Sequence, residues 1–261
     1  MMEILILTDA QAVGRQAAAI VAKLVERNPE AVLGLATGAS PQGLYAALAD
    51  RVDAGLDLSK VAGFALDEYV GIPREHPESY AQVIDRDVTR PLGLDPRRVH
   101  VPDGRTADLE AATAAYDREI RAAGGIDLQI LGIGENGHIG FNEPTSSFAS
   151  RTRVKTLAPS TRAANARFFA RPEDVPTHCL TQGLGTILEA RQLVLVATGQ
   201  SKAPAIAAAV EGPLTSMVPG SALQLHARAT VIVDEAAASL LTLTDYYRYT
   251  ADNRPVWQVV D

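Results

Sequence analysis

The stretch that decides the fold is IDLQILGIGENGHIGFNEP, residues 126–144. Its first half is a nearly continuous apolar run of strand length, as expected for a strand covered on both faces. Its second half places four glycines around His138 and ends at Pro144. In open α/β sheets, ligands bind outside the carboxyl ends of the strands, so this glycine-rich segment predicts a ligand site.

Comparable apolar runs recur on both sides of this stretch. They predict further strands at residues 3–7, 31–36, 61–66, 98–101, 192–198 and 230–233. Helical patterns are found at residues 10–27, 41–52, 76–90 and 108–123, and after each of the last two strands. Because strands alternate with helices, we predict parallel pairing with right-handed crossovers. The expected fold is one α/β domain over residues 1–261, a doubly wound, mostly parallel Rossmann-like sheet with helices on both faces.

Composition limits the classes of partner. The formal net charge of -7 disfavours a nucleic-acid partner, because an acidic chain gains nothing from counterion release. A small anionic substrate remains compatible, since a few cations and backbone N–H groups can bind it. The lone cysteine, Cys179, allows no intrachain disulfide, and no apolar run approaches the length of a membrane span. No basic segment precedes the first apolar run, so a signal peptide is not expected. These features predict a cytoplasmic protein without a membrane partner.

The glycine spacing in residues 132–137 also matches G-x-G-x-x-G, the pattern of dinucleotide sites. That pattern needs a helix at the third glycine and an acidic residue about 20 positions further on. Residues 138–144 are poor helix formers, and no acidic residue lies between Glu143 and Glu173. The dinucleotide interpretation is therefore rejected.

His138 is instead a candidate proton shuttle. Imidazole titrates near neutral pH, and a carboxylate such as Glu143 can fix its tautomer and stabilise its charged form. The alternative is an ordinary loop histidine with its hydrogen bonds satisfied. The five histidines form no H-x-H or H-x-x-x-H pair, so no metal site is predicted.

The segment Thr37, Gly38, Ala39, Ser40 and Pro41 follows the strand predicted at 31–36. We expect Ser40 to cap the next helix and Pro41 to be its first residue. Free N–H groups at the start of a helix attract anions, which makes this a candidate phosphate loop. The alternative is a capped turn without a ligand.

Two other strand ends carry charged side chains. Asp67 and Glu68 follow the strand at 61–66, where a carboxylate with a raised pKa can act as a general base. The alternative is an acidic turn or a helix cap, and the two residues need not share a role. Lys202 falls at the start of a helix, where a cation opposes the helix dipole, so an anionic ligand would explain it. An exposed surface lysine is the alternative.

Together these segments resemble the glucosamine-6-phosphate deaminase family. The motifs occur in order over nearly the whole chain: LATGASP (35–41), LDEYVG (66–71), LGIGENGHIGFNEP (131–144), NARFF (165–169), TQGLGTIL (181–188), SKA (201–203), EGP (211–213) and LQLH (223–226). Each motif alone is weak, but their combination in this order is highly specific.

The resemblance implies a Rossmann-like enzyme without a cofactor that converts glucosamine 6-phosphate to fructose 6-phosphate and ammonia. It implies that Asp67 is the base between C2 and C1, and that His138, oriented by Glu143, catalyses ring opening. Lys202 and Arg167 are similar to a phosphate clamp completed by the backbone of residues 38–40. A lid is implied at about residues 157–178.

At one position the sequence departs from part of the family. Some members carry Asp two residues before the catalytic histidine, where this chain has Asn136. We count Asn136 among the catalytic residues, but its amide can hydrogen-bond without buffering charge, so the pKa of His138 is expected to differ from that of Asp-containing members.

The resemblance also implies an effector site for N-acetylglucosamine 6-phosphate. Its residues would be Ser146, Ser147, Arg153, Lys155 and Tyr247. Hydroxyl and basic groups together suit a phosphate, and a solvated loop is the alternative. Hexameric and monomeric members both exist, so the resemblance leaves a homo-oligomer open.

Three rival functions remain at this point. A 6-phosphogluconolactonase needs no base for C2 proton transfer, so the Asp67 motif disfavours it. A galactosamine-6-phosphate deaminase cannot be separated by sequence. A non-catalytic sugar-phosphate sensor of a transcription regulator would need a DNA-binding segment, for which the strand at residues 3–7 leaves no room.

Overall fold

The computed structural model describes residues 2–254, and ten strands form within them. These are β1 (Met2–Leu7), β2 (Val32–Leu35), β3 (Ala62–Ala65), β4 (Asp67–Tyr69), β5 (Val99–His100), β6 (Leu128–Leu131), β7 (Arg153–Thr156), β8 (His178–Thr181), β9 (Leu193–Ala197) and β10 (Ala229–Asp234). Seven of them form one parallel sheet in the order β1-β10-β9-β6-β2-β3-β5. The predicted parallel α/β fold is confirmed.

Eight α-helices connect or flank these strands. They are α1 (Ala10–Arg27), α2 (Gln42–Asp53), α3 (Tyr80–Ile84), α4 (Leu109–Ala122), α5 (Pro159–Asn165), α6 (Leu184–Leu188), α7 (Ala203–Val210) and α8 (Thr244–Asp252). The helix predicted at 76–90 begins only at Tyr80, because Ser79 caps it by accepting a hydrogen bond from Gln82 N at 3.2 Å. Its last turn, Asp85–Thr89, is a π-helix.

The order of the strands locates the ligand site. From β2 the chain proceeds outward through β3 to β5, whereas from β6 it proceeds the other way through β9 to β10. With right-handed crossovers, this reversal places the helices of the two halves on opposite faces. Since β2 and β6 are neighbours, the crevice at their carboxyl ends is the topological switch point, where such sheets bind ligands.

A second, smaller sheet was not predicted. It is antiparallel, in the order β4-β8-β7, and its three strands lie outside the apolar runs from which strands were predicted. β4 has only three residues and β7 is polar and alternately exposed, so tertiary pairing rather than local pattern forms them. A small core accompanies this sheet, made by Tyr69, Ile72, Phe141, Leu157, Val175 and Cys179.

Helices α1 and α2 pack closely at Gly14, which gives a test of the fold. A Cβ at Gly14 would lie 2.4 Å from Gly43 O, so Gly14→Ala should lower the free energy of unfolding by ~1–3 kcal/mol despite the better helix propensity of alanine. The matched control is Gly43→Ala, whose Cβ would come no closer than 3.7 Å. Urea denaturation should show a loss for Gly14→Ala alone; equal stability of both variants would contradict the packing.

Candidate functional site

A cavity of about 590 Å³ opens at the carboxyl edge of the sheet. The structure brings most of the predicted site residues to its wall: Thr37, Gly38, Ala39, Ser40, Asp67, Asn136, His138, Arg167 and Lys202. Glu143 is buried next to His138. Side chains from four separate strand ends and from the predicted lid thus surround one space.

The loop after β2 forms one end of this cavity. The Tyr45 hydroxyl donates to Ala36 O at 2.9 Å and accepts from Ala36 N at 3.1 Å, which ends strand pairing there. Gly38 adopts φ 88°, in the left-handed region, and turns the chain into α2. The predicted cap was wrong: Pro41 occupies the N-cap position and the helix begins at Gln42, without a side-chain cap. Ser40 therefore lines the cavity rather than capping the helix.

Asp67 lies at the start of β4, paired with Thr181 of β8. Asp67 is only 5% exposed, and this burial raises the pKa of its carboxyl well above the ordinary value. The neighbouring Glu68 raises it further, while the N–H of Phe141 acts in the opposite direction. Because Asp67 lines the cavity, a carboxylate of increased basicity faces any bound ligand.

Glu68 makes different contacts from its neighbour Asp67. Its carboxylate accepts hydrogen bonds from the backbone N–H groups of Tyr69 at 2.8 Å, Tyr80 at 2.9 Å and Ala81 at 3.0 Å. These contacts satisfy the first N–H groups of α3 beside the N-cap residue Ser79, so Glu68 contributes to capping the helix, one of the alternatives that the sequence left open. Of the two adjacent acids, only Asp67 lines the cavity.

His138, Asn136 and Glu143 form a connected group. His138 Nδ1 lies 3.5 Å from Glu143 Oε2, and Asn136 Nδ2 donates to the same oxygen at 2.7 Å. Asn136 Oδ1 also accepts from the backbone N of His138 at 3.1 Å, so Asn136 links the other two. A Cβ at Gly134 would lie 2.4 Å from the imidazole, which explains the glycine there.

The electrostatics of Glu143 favour its charged form. Burial acts to raise its pKa, but the nearby imidazole of His138, the Thr161 hydroxyl and the Ala158 N–H outweigh burial and lower the pKa to about 2. The Ala158 N–H donates to Oε1 at 3.0 Å. A stable carboxylate next to His138 can hold the imidazole in one orientation and stabilise its protonated form.

The lowered pKa of Glu143 makes part of the stability depend on pH. A carboxyl whose pKa falls on folding stabilises the protein above its unfolded pKa, and this contribution is lost as the pH drops from about 4.5 to about 2. Glu143→Gln removes the titrating group. The difference in free energy of unfolding between wild type and this variant should therefore shrink from pH 6 to pH 3 in urea denaturation. A difference that is constant over this range would contradict the assignment.

Two cations lie at the same cavity. Lys202 Nζ donates to Ile133 O at 2.8 Å, and burial lowers the pKa of this ammonium. Glu135 opposes that shift, whereas the nearby positive charge of Arg167 adds to it. A half-buried ammonium beside a second cation and the N–H groups of residues 38–40 makes this end of the cavity favourable for an anion.

Residues 157–177, which make up nearly all of the predicted lid, connect β7 to β8 and border the cavity. The base of this segment is closed by a hydrogen bond from Leu157 N to Thr177 O at 2.9 Å. Leu157 and Val175 are buried near its two ends, whereas Arg167 near its middle is exposed and lines the cavity. This arrangement supports the predicted lid, which stays a prediction.

The predicted effector residues are only partly brought together. Arg153 donates to Ser146 Oγ at 3.1 Å and to Asn142 Oδ1 at 2.9 Å. Ser147 adjoins Ser146 in the chain, and Lys155 follows Arg153 by two positions on β7, hence on the same face of the strand. Tyr247 makes its contact elsewhere, since its hydroxyl donates to Glu211 at 3.1 Å.

Several cavity residues were not singled out from the sequence. They are Tyr80, Ser160, Thr161, Asn165 and Ser201. Tyr80 and the residues of α5 do not directly follow a strand of the main sheet, so the strand-end argument could not find them. Two of these cavity residues had a usable pattern, because Asn165 begins the NARFF motif and Ser201 begins the SKA motif.

Residues 2–254 contain neither a cluster suited to a metal ion nor a helix suited to span a membrane. No cluster of three or more His, Cys, Asp or Glu side chains there is arranged to hold a metal ion. In the same residues, no helix has the length and apolar character needed to cross a membrane.

Comparisons with known proteins show the family of this chain. Residues 8–232 match the family described as glucosamine-6-phosphate isomerases/6-phosphogluconolactonase. A glucosamine-6-phosphate deaminase of Pseudarthrobacter chlorophenolicus is 56% identical over 257 residues, covering 98% of this chain and 99% of that protein.

Solved structures share the same architecture. A monomeric glucosamine-6-phosphate deaminase has a TM-score of 0.89 at 40% identity, covering 92% of this chain and 100% of the other. A 6-phosphogluconolactonase from Trypanosoma cruzi has a TM-score of 0.74 at 19% identity, covering 93% and 97%, a likeness of fold alone. With the family match over most of its length and the high identity to a full-length relative, this chain belongs to the family of glucosamine-6-phosphate isomerases and 6-phosphogluconolactonases.

Proposed function

We propose that this chain converts glucosamine 6-phosphate and water to fructose 6-phosphate and ammonia. The observation that carries the proposal is the placement of Asp67, His138 and Lys202 around one cavity at the switch point of the sheet. An aldose–ketose isomerisation of a sugar phosphate requires a carboxylate for acid–base catalysis, an imidazole for proton transfer and a binding site for the phosphate. The names of relatives that are 56% identical support the same substrate.

The reaction begins with opening of the cyclic amino sugar. The ring oxygen must gain a proton while the hydroxyl on C1 loses one, which yields the free aldehyde. His138 can move a proton at these atoms because Glu143 and Asn136 hold it in place. The carboxylate of Glu143 stabilises the imidazolium that forms during the transfer.

Isomerisation then moves a proton from C2 to C1. Asp67 removes the C2 proton while the carbonyl oxygen on C1 gains one through His138, which gives an enolamine. Asp67 then returns its proton to C1, which leaves a protonated imine at C2. Water adds to the imine and ammonia departs, so the ketone of fructose 6-phosphate is formed. Burial of Asp67 suits this step, since a raised pKa makes its carboxylate a stronger base.

The phosphate supplies binding energy at a distance from the reacting carbons. Lys202, Arg167 and the N–H groups of residues 38–40 form the anion-binding end of the cavity. Interactions with a remote, non-reacting group can be used to orient the reacting carbons. We expect residues 157–178 to close over the bound sugar and exclude water, as a lid does.

The direct test is a product assay with a panel of sugar phosphates. Purified protein is incubated with glucosamine 6-phosphate, galactosamine 6-phosphate or 6-phosphogluconolactone, and ammonia and ketose phosphate are measured. Equimolar ammonia and fructose 6-phosphate from the first substrate support the proposal. Turnover of the lactone alone would indicate a 6-phosphogluconolactonase. Faster turnover of galactosamine 6-phosphate would indicate a deaminase that prefers this C4 epimer, and binding without turnover would indicate a sensor.

Regulation, assembly and location are further parts of the proposal. Contact between Arg153 and Ser146 supports an effector site for N-acetylglucosamine 6-phosphate in this region. Its test is a substrate-saturation curve with and without that compound, and native mass determination reports whether a homo-oligomer forms. The buried free thiol of Cys179 is compatible with a cytoplasmic location.

A further inference from the structure

Tyr69 lies directly beneath the segment that carries Arg167. Its residue is 2% exposed, and its ring belongs to the small core beside β4. The Tyr69 hydroxyl accepts a hydrogen bond from Asn165 Nδ2 at 3.0 Å. Its ring also meets Phe169 edge-on, with ring centroids 5.7 Å apart. Tyr69 thus contacts this segment at two residues, Asn165 and Phe169.

Those two points bracket Arg167 in the sequence. Asn165 precedes it by two residues and Phe169 follows it by two, with the single turn Ala166–Phe168 between them. Arg167 itself is exposed, and its guanidinium lies 4.7 Å above the ring of Phe168. A long, exposed arginine loses much side-chain entropy when it binds an anion, so a backbone already fixed on both sides lowers that cost.

The contacts continue from Tyr69 toward the loop after β2. The Tyr80 hydroxyl lies 3.4 Å from the Tyr69 hydroxyl and also hydrogen-bonds the side chain of Thr37. Thr37, Tyr80 and Asn165 all line the cavity. A chain of hydroxyl and amide groups therefore connects the loop after β2 with the segment that carries Arg167. Both of these segments contribute to the anion-binding end of the cavity.

We propose that Tyr69 is a positioning residue that holds Arg167 over the cavity by binding Asn165 and Phe169. The proposal rests on the function proposed above, in which Arg167 binds the substrate phosphate. Tyr69 does not itself touch the substrate in this account; it acts through Arg167. Among the other contacts of the segment, Ala158 N donates to Glu143 at a position well before Asn165, and the His76 ring stacks on the Phe169 ring.

The test removes only the hydroxyl. Tyr69→Phe keeps the ring contacts but loses the longer contact with the Tyr80 hydroxyl and the hydrogen bond from Asn165, the latter worth ~0.5–1.5 kcal/mol, or about 2- to 10-fold. The KM for glucosamine 6-phosphate should rise about 2- to 10-fold with kcat within about 2-fold. Asn165→Ala should give the same result. In an Arg167→Ala background, Tyr69→Phe should produce no further rise in KM, because the group it positions is gone.

A matched control separates positioning from loss of stability. Tyr116→Phe also removes a buried hydroxyl, one that donates to Ala65 O at 2.7 Å, but it should lower the melting temperature without changing KM. An unchanged KM in Tyr69→Phe, or an equal rise in KM with Arg167 absent, would overturn the proposal.

A second measurement does not require deamination activity. It is the affinity of wild type and of Tyr69→Phe for inorganic phosphate, determined by calorimetry. Weaker phosphate binding by Tyr69→Phe supports the role of Tyr69 even if no deamination is found. Deamination by wild type with an unaffected Tyr69→Phe variant would reject the role of Tyr69 alone.

Discussion

Replacing Asp67 by Asn is expected to lower kcat for glucosamine 6-phosphate by about 10²- to 10⁴-fold, the range for loss of a positioned general base. Substrate affinity should stay within about 3-fold, since an amide of the same size fills the buried site without a change in packing. The reason is chemical: an amide cannot accept the C2 proton. The measurement is steady-state kinetics with ammonia detection, together with a binding titration of the inactive variant.

The neighbouring acid provides the control for this result. Glu68→Gln changes a carboxylate one position away whose oxygens are bound to three backbone N–H groups. It should lower the melting temperature and leave kcat within about 10-fold, because its effect on the site is indirect. If Asp67→Asn kept near-normal kcat, or if Glu68→Gln were the more damaging change, Asp67 would not be the base.

Replacing Lys202 by Met is expected to raise the KM for glucosamine 6-phosphate by about 10- to 100-fold, as for loss of a hydrogen bond between charged groups worth ~1.5–3 kcal/mol. Methionine retains most of the length and apolar character of the side chain but lacks the ammonium. Burial lowers the pKa of Lys202, which means that its charge is costly in the free protein. A phosphate in the cavity offsets that cost, so the loss should fall mainly on binding.

Lys60 serves as the matched control lysine. It is exposed and lies just before β3, at the amino end of the sheet and away from the cavity. Lys60→Met should leave KM unchanged, and unphosphorylated glucosamine should bind both variants and wild type equally weakly. A Lys202→Met protein with an unchanged KM would remove Lys202 from the phosphate site.

The main sheet could be predicted because its strands are patterned for burial on both faces. The residues of β2, β6, β9 and β10 are all buried, and their apolar runs follow from that. The sequence also predicted that residues directly after these strands lie at the candidate site, because parallel strands bring their carboxyl ends to one edge of the sheet. Asp67, His138 and Lys202 reach one cavity for this reason.

What could not be predicted depends on contacts between distant segments. β4 and β7 each pair with β8, and nothing in a polar run such as residues 153–156 indicates that partner. The separate roles of Asp67 and Glu68 were open for the same reason, since only the fold shows that α3 begins at the Glu68 carboxylate. Ser40 was expected to cap α2, but the helix begins one residue later than predicted, and Ser40 lines the cavity instead.

The central claim is that Asp67, His138 and Lys202 contact one sugar phosphate in the cavity. A crystal structure of Asp67→Asn with glucosamine 6-phosphate tests it most directly. We expect the phosphate within hydrogen-bond distance of Lys202 Nζ and the N–H groups of residues 38–40. C2 should lie at the side chain of residue 67, and the ring oxygen at His138. A sugar phosphate bound with its phosphate away from Lys202, or with C2 out of reach of residue 67, would contradict the account.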